Sequence, residues 1–201
     1  MSTKEKILQV AEDEFAKHGF DGVSLNDIVK IVGINKATIY HHFKDKRALY
    51  QEIIKSKIDI LHTNIEEIFD SETDSEKLLK KYIEAIVLTV QDNPNIVPMA
   101  LREFANFGAN VDESLVPHIE IGLSYLAKII EGLELQEKYK DMNPYALYCL
   151  INGTIDTFYV IQMSALPLGG DKDLKQNSKK SLLYIQEFVS NIIIDAIIQK
   201  R

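Results

Sequence analysis

The chain has no tryptophan, a single cysteine, five prolines and no long apolar run among its 201 residues. Each scarcity excludes something. One thiol, Cys149, cannot form an intrachain disulfide, which fits a reducing compartment and a fold held by its core. No segment approaches the ~20 apolar residues that cross a bilayer. The most apolar stretch, NIIIDAII, is broken by Asp195. The opening MSTKEKILQVAEDEF mixes charges into its apolar positions, unlike a secretory leader. A cytoplasmic chain with no membrane partner is expected. Alternating β-branched runs bounded by turns are also missing, which argues against sheets. So are catalytic signatures: there is no G-x-S-x-G, no H-E-x-x-H and no glycine-rich phosphate loop. PLGGDK has paired glycines but follows a helix end and reads as a turn. No enzyme and no cofactor are expected.

What is present is a hydrophobic fraction of 46%, enough for a sizeable core, and a net charge of -7 that is unevenly spread. Residues 1–47 hold 8 basic and 7 acidic side chains, a net of +1; residues 48–201 hold 15 and 23, a net of -8. Residues 24–47 alone carry 5 basic against 2 acidic groups, plus His41 and His42. A polyanion is drawn to the N-terminal part and repelled by the rest.

Helical periodicity runs nearly throughout, so the predicted class is all-α. Ile7, Val10, Ala11 and Phe15 mark a first helix over Thr3–His18, stopped by Gly19. SLND, with Asp27 three residues after Ser24, is a capping-box pattern opening a short helix over Leu25–Val32. Gly33 ends it, and Asn35 caps a third helix over Lys36–Phe43. Ile39 and Phe43 are one turn apart and face inward there. Lys36, Ala37, Thr38, Tyr40 and His41 face out or graze the edge. Asp45 caps a long helix reaching about Phe69. Further helices are predicted over Ser75–Gln91, Asn95–Phe107, Glu113–Leu133, Pro144–Leu166 and Ser178–Lys200, with Pro94, Pro117 and Pro144 near helix starts.

Two short helices joined by a glycine turn, the second with a polar outer face, make a helix-turn-helix. The major groove of DNA admits one such helix, and residues near its N-terminus reach base edges. Helix N-termini at Ser24 and Lys36 offer N–H groups and a positive dipole end to phosphates. Lys46 and Arg47 lie just beyond. Adjacent helical residues point ~100° apart, so His41 and His42 make a poor chelate and no metal is expected. Lys44 reads as part of a solvated face, and His42 as structural or phosphate-facing.

The N-terminal quarter resembles the tetracycline-repressor-like (TetR-type) transcriptional regulators. The residues that carry the resemblance are Ile7-Leu8, Ala11, Phe15, Gly19-Phe20, Ser24, Asp27-Ile28, Gly33-Ile34, Thr38-Ile39-Tyr40, His42-Phe43-Lys44, Lys46 and Leu49. The resemblance implies a homodimer whose two recognition helices enter successive major grooves of a palindromic operator in double-stranded DNA. It puts Lys36, Ala37, Thr38 and His41 nearest the bases, with Ser24, Tyr40 and Lys46 on phosphates. Asn35 and His42 complete the candidate DNA-binding set. Ala37 stands where the family often has glycine. Residues 1–47 are then the DNA-binding domain and 48–201 a larger helical domain for effector binding and dimerisation.

Two features stand out in that larger part. The last helix, SLLYIQEFVSNIIIDAII, is apolar around most of its circumference and must be covered on two sides. Its natural companion is the Pro144–Leu166 helix, and two such helices from each subunit give a four-helix dimer interface. The family uses its last two helices in this way. The second feature is the line Asn152, Asp156, Tyr159 on the penultimate helix, opposite PMALREFANFG. With Met99, Arg102, Phe104, Phe107, Tyr125 and Cys149, residues Asn152 and Asp156 form the candidate ligand-binding set. The alternative is a core in which Arg102 pairs with a nearby acid. Cys149, in YALYCLING, reads as an inert core thiol. The expected function is a transcriptional repressor released by a small-molecule ligand. The alternative is a regulator or architectural protein of the same fold without an effector.

Overall fold

The computed structural model describes residues 1–163 and 178–199. Among them are nine α-helices: α1 (Thr3–His18), α2 (Leu25–Val32), α3 (Lys36–His42), α4 (Lys46–Ser71), α5 (Ser75–Asp92), α6 (Ile96–Ala105), α7 (Val116–Glu131), α8 (Pro144–Met163) and α9 (Ser178–Ile197). The one extended pairing among the described residues is an isolated antiparallel bridge between Leu135 and Ile198. The all-α expectation is met. The PLGGDK segment and Leu166 lie outside the described residues.

Local chemistry sets the helix ends. Ser2 and Glu5 form a reciprocal capping box at the start of α1. Ser24 and Asp27 do the same for α2, as the sequence pattern requires. Asn35 Oδ1 accepts from the Thr38 backbone N–H at 2.8 Å and from its hydroxyl at 3.0 Å, which starts α3. Gly33 closes α2 in the left-handed conformation, φ 77° and ψ 36°, which glycine adopts at no steric cost. Helix α3 ends at His42, one residue short of the prediction, because Phe43 takes an extended backbone, φ -135° and ψ 128°. Its ring is buried all the same.

Packing divides the chain into two compact units, one of residues 1–59 with 93–118, the other of residues 60–92 with 119–201. The first unit is built on Ile7, Ala11, Phe15, Ile28, Ile39, Phe43, Leu49, Tyr50 and Ile53, joined by Met99 of α6. Burying one such large apolar side chain contributes about 1.5–3 kcal/mol. Helix α6 is fastened along α1 at both ends. Asn95 Nδ2 donates to Asp13 at 2.7 Å, and Arg102 Nη2 donates to the Lys17 carbonyl at 2.9 Å. Lys57 forms a half-buried ion pair with Glu12 at 2.8 Å and donates to Asn93 at 3.2 Å. Helix α6 stops at Ala105, short of the predicted Phe107, which sits at φ 54° before Gly108 at φ 70°. Likewise, the helix predicted from Glu113 opens as a 3-10 turn over Glu113–Leu115 before α7 begins.

In the second unit α5 buries nine residues and packs on α8 and α9. Helix α9 turns Leu182, Ile185, Val189, Ile193 and Ile197 inward at three- and four-residue spacing. Its other side leaves Leu183, Tyr184, Phe188 and Ile192 exposed. The C-terminal end of α9 is pinned by hydrogen bonds from Gln136 N–H to the Ile197 carbonyl (2.9 Å) and from Gln199 N–H to the Glu134 carbonyl (2.8 Å).

Candidate functional site

The helix-turn-helix of α2 and α3 presents one coherent outer face. Ile39 points into the core with no exposure, and this sets the rotation of α3. Lys36, Ala37, Tyr40 and His41 are consequently exposed, while Thr38 and His42 are half-buried. Tyr40 is 56% exposed, a large aromatic surface on this face. Asn35 spends its side-chain oxygen on the cap and orients the first turn of α3.

Two residues carry structural duties as well. The Ser24 hydroxyl accepts from the Asp27 N–H at 3.2 Å and bonds the Asp27 carboxylate at 2.5 Å. That bond, with the Ser24 backbone N–H and Lys30, holds the Asp27 carboxyl below its usual range. An anion approaching the start of α2 therefore meets a negative charge beside the helix N–H groups. Lys46 Nζ donates to the carbonyls of Phe20 (2.9 Å) and Val23 (3.1 Å) and lies 4.1 Å from the centre of the Phe20 ring. It staples the α1–α2 turn to α4, with one of its three N–H donors left for another acceptor. Gly22, Ser24, Asp27, Tyr40, Asp45 and Lys46 line an open depression on this surface.

The eight candidate ligand residues fall in both units. In the first, Met99 is buried in the core, and Arg102 is exposed with its guanidinium on the Lys17 carbonyl. Phe104 and Phe107 are 59% and 97% exposed. The alternative, in which Arg102 pairs with a nearby acid, does not form among the described residues. The buried acid of α6 is its neighbour Glu103, which accepts from the Tyr50 phenol at 2.6 Å and from Asn110 Nδ2 at 3.2 Å. Nor is Cys149 a core thiol, because it is exposed. A helix apolar all round gives no means of choosing its buried face.

In the second unit Tyr125 donates its phenol to Glu66 at 2.8 Å and packs on Phe69, with ring centroids 5.0 Å apart. Burial and then the Glu66 bond push the Tyr125 phenol up to about 12. Asn152 is half-buried and turns Nδ2 back onto the Tyr148 carbonyl at 3.1 Å. Asp156 is buried, and burial pushes its carboxyl up to about 7. The Tyr50–Glu103–Asn110 network is not among the sequence-based expectations. Its signal was a glutamate four residues after Met99, at an inward position of α6.

The family model described as "Bacterial regulatory proteins, tetR family" matches residues 7–53. The chain is 40% identical over 62 residues to the biofilm operon icaADBC HTH-type negative transcriptional regulator IcaR of Staphylococcus aureus, 31% of this chain and 33% of IcaR. The matched part thus spans about a third of that relative's length. The structure of the ketosteroid transcriptional regulator KstR2 of Mycobacterium tuberculosis superimposes with a TM-score of 0.67 at 19% identity, covering 99% of this chain and 96% of that one. A TetR-family transcriptional regulator from Agrobacterium tumefaciens gives 0.65 at 18% identity, with 98% of both chains covered. Residues 7–53 thus match the model of the tetR family of bacterial regulatory proteins, and over nearly its whole length the chain has the fold of those solved regulators.

Proposed function

We propose that this chain is a homodimeric DNA-binding transcriptional regulator, a repressor that a small molecule releases from a palindromic operator. The observation that carries the reading is the exposed face of α3, with Lys36, Ala37, Tyr40 and His41 held outward by the buried Ile39. In this reading residues 1–47 grip DNA and residues 48–201 serve effector binding and dimerisation. Lys36, Ala37, Thr38 and His41 face bases. Ser24, Tyr40, His42 and the remaining donor of Lys46 face phosphates. The exposed apolar side chains of α8 and α9, among them Leu150, Tyr184, Phe188 and Ile192, support the dimer. IcaR's description as a negative regulator supports repression.

The test is selection of genomic fragments by the purified chain, followed by anisotropy titrations on the enriched sequence. A palindromic consensus with half-sites about one helical turn apart is expected. Changing both Lys36 and Tyr40 to alanine should abolish selection while leaving the fold intact. Failure to enrich any sequence, or enrichment by the double variant of the same one, sinks the reading. A regulator of the same fold without an effector is the second reading. It is favoured by Arg102, Phe104 and Phe107, all of which are exposed.

A further inference from the structure

Among the described residues the two buried acids are treated differently. Glu103 in the first unit is 7% exposed and receives the Tyr50 phenol, the Asn110 backbone N–H and the Asn110 amide. Asp156 in the second unit is 8% exposed, and among the described residues nothing donates a hydrogen bond to it or pairs with its charge. Buried carboxylates are normally paired or hydrogen-bonded, because an isolated charge in an apolar interior is costly. One left alone marks a candidate functional position.

Its surroundings specify what would satisfy it. Tyr148, Asn152, Asp156 and Tyr159 project within an arc of about 80° on α8, by the 3.6-residue period. The Tyr148 phenol is pushed up to about 12, by burial first and by the Asp156 charge second. Tyr82 of α5 is 1% exposed, and its phenol is raised by burial and then by Tyr148. Tyr145 stacks near Tyr148 with ring centroids 6.3 Å apart. Asn152 has its amide N–H engaged on the Tyr148 carbonyl, so its oxygen is the end that remains to accept. The ensemble is aromatic rings and acceptors. It repels an anion and suits a cation that carries apolar substituents, since such a cation meets both a carboxylate and aromatic faces. A bare metal ion is a poorer fit. It needs several oxygen ligands, and no group of three histidine, cysteine or acidic side chains comes together among the described residues.

We infer that Asp156 anchors a binding site for an organic cation, with Tyr148 as its aromatic neighbour. This inference rests on the effector-responsive reading given above and names the class of effector.

The test uses the full chain and two probes, benzyltrimethylammonium and tetraphenylphosphonium, with tetraphenylborate as the anion of matched size. Calorimetry should show one cation bound per chain and markedly weaker binding of the borate. Asp156→Asn, nearly the same shape without the charge, should bind the cations at least about tenfold more weakly, a loss of about 1.4 kcal/mol. Because burial pushes the free carboxyl up to about 7, cation binding at neutral pH should be accompanied by proton release in the wild-type chain. Titrations in two buffers of different ionisation enthalpy read that release without any variant, and it should vanish in Asp156→Asn. Unchanged affinity in Asp156→Asn, equal binding of the borate, or no cation binding by the wild type would each overturn the inference. Operator affinity is measured separately on the same samples. Its absence counts against the regulator reading alone, because cation binding is read without DNA.

Discussion

The Tyr50 phenol donates a 2.6 Å hydrogen bond to Glu103, 53 residues away in sequence, and both side chains are buried. Burial first, then this bond, raises the phenol far above its ordinary range, so Tyr50 stays a donor. Asn110 holds the same carboxylate from the far side through its backbone and amide N–H groups. Tyr50→Phe removes one donor and should cost about 1–3 kcal/mol, because Glu103 stays buried with less support. Glu103→Ala should cost more, since it strands the phenol and leaves a cavity. Urea unfolding followed by circular dichroism measures both. An unchanged midpoint for Tyr50→Phe means the bond contributes nothing net.

Lys46 is expected to show two losses at once. Removing its ammonium in Lys46→Ala takes the donor from the Phe20 and Val23 carbonyls and should lower the melting temperature. The same change should weaken binding to all DNA sequences alike and reduce the salt slope by about one counterion. Lys36→Ala, on the exposed face of α3, should leave the melting temperature alone and shift the preferred sequence. Melting curves and salt titrations on two operator variants separate these outcomes. A salt slope for Lys46→Ala equal to that of the wild type would remove Lys46 from the phosphate contacts and leave it a purely structural staple.

Ile192 and Ile193 are chain neighbours with opposite fates. Ile193 is 2% exposed in the core of its unit, whereas Ile192 is 50% exposed on the outer face of α9. Ile193→Glu puts an unpaired charge in the core and should unfold the unit at a cost of several kcal/mol. Ile192→Glu should keep the helical signal of the folded chain but sediment as a monomer. If Ile192→Glu still sediments as a dimer at micromolar concentration, the α8–α9 face is not the subunit contact.

Asp156 makes stability depend on pH in a direction opposite to most acids. Its carboxyl is raised from 3.8 to about 7, so the folded state binds the proton more tightly than the unfolded chain does. The proton's stabilising effect is full below about pH 4 and disappears as pH rises through 7. From this group alone, unfolding free energy should fall between pH 5 and pH 8 by an amount on the order of 2–3 kcal/mol. Asp156→Asn should flatten that fall and be the more stable protein at pH 8. Denaturant titrations of both proteins at pH 5, 6.5 and 8 check the sign. A difference between them that does not change with pH would mean that Asp156 does not titrate in this range.

The N-terminal helices were legible because their ends are written in short-range chemistry. Ser24 with Asp27, Asn35 with Thr38, and Gly33 act within four residues, and the inward places of Ile28 and Ile39 follow from helical period. What the sequence did not disclose is what each face meets. Arg102 looked available for a ligand, yet its guanidinium reaches the Lys17 carbonyl 85 residues back. Lys46 looked like a phosphate contact, and two backbone carbonyls already hold it. Both partners are carbonyls, which every residue possesses, so no sequence pattern marks them. The period likewise could not orient α8, since residues on every side of it are apolar; Cys149 fell outside and Asp156 inside.

The fastening of α6 along α1 bears on how such proteins can be recombined. A chimera that joins residues 1–47 of this chain to another protein's remainder would separate Lys17 from Arg102, Asp13 from Asn95 and Phe15 from the layer that includes Tyr50. The recipient would have to supply a helix with matching donors at both ends, or leave the outer side of α1 bare. Because the first compact unit is discontinuous, a transplant that keeps its seams must carry residues 1–59 together with 93–118. Exchange of sensing parts between relatives is thereby constrained at α6, far along the chain from the residues proposed to touch DNA.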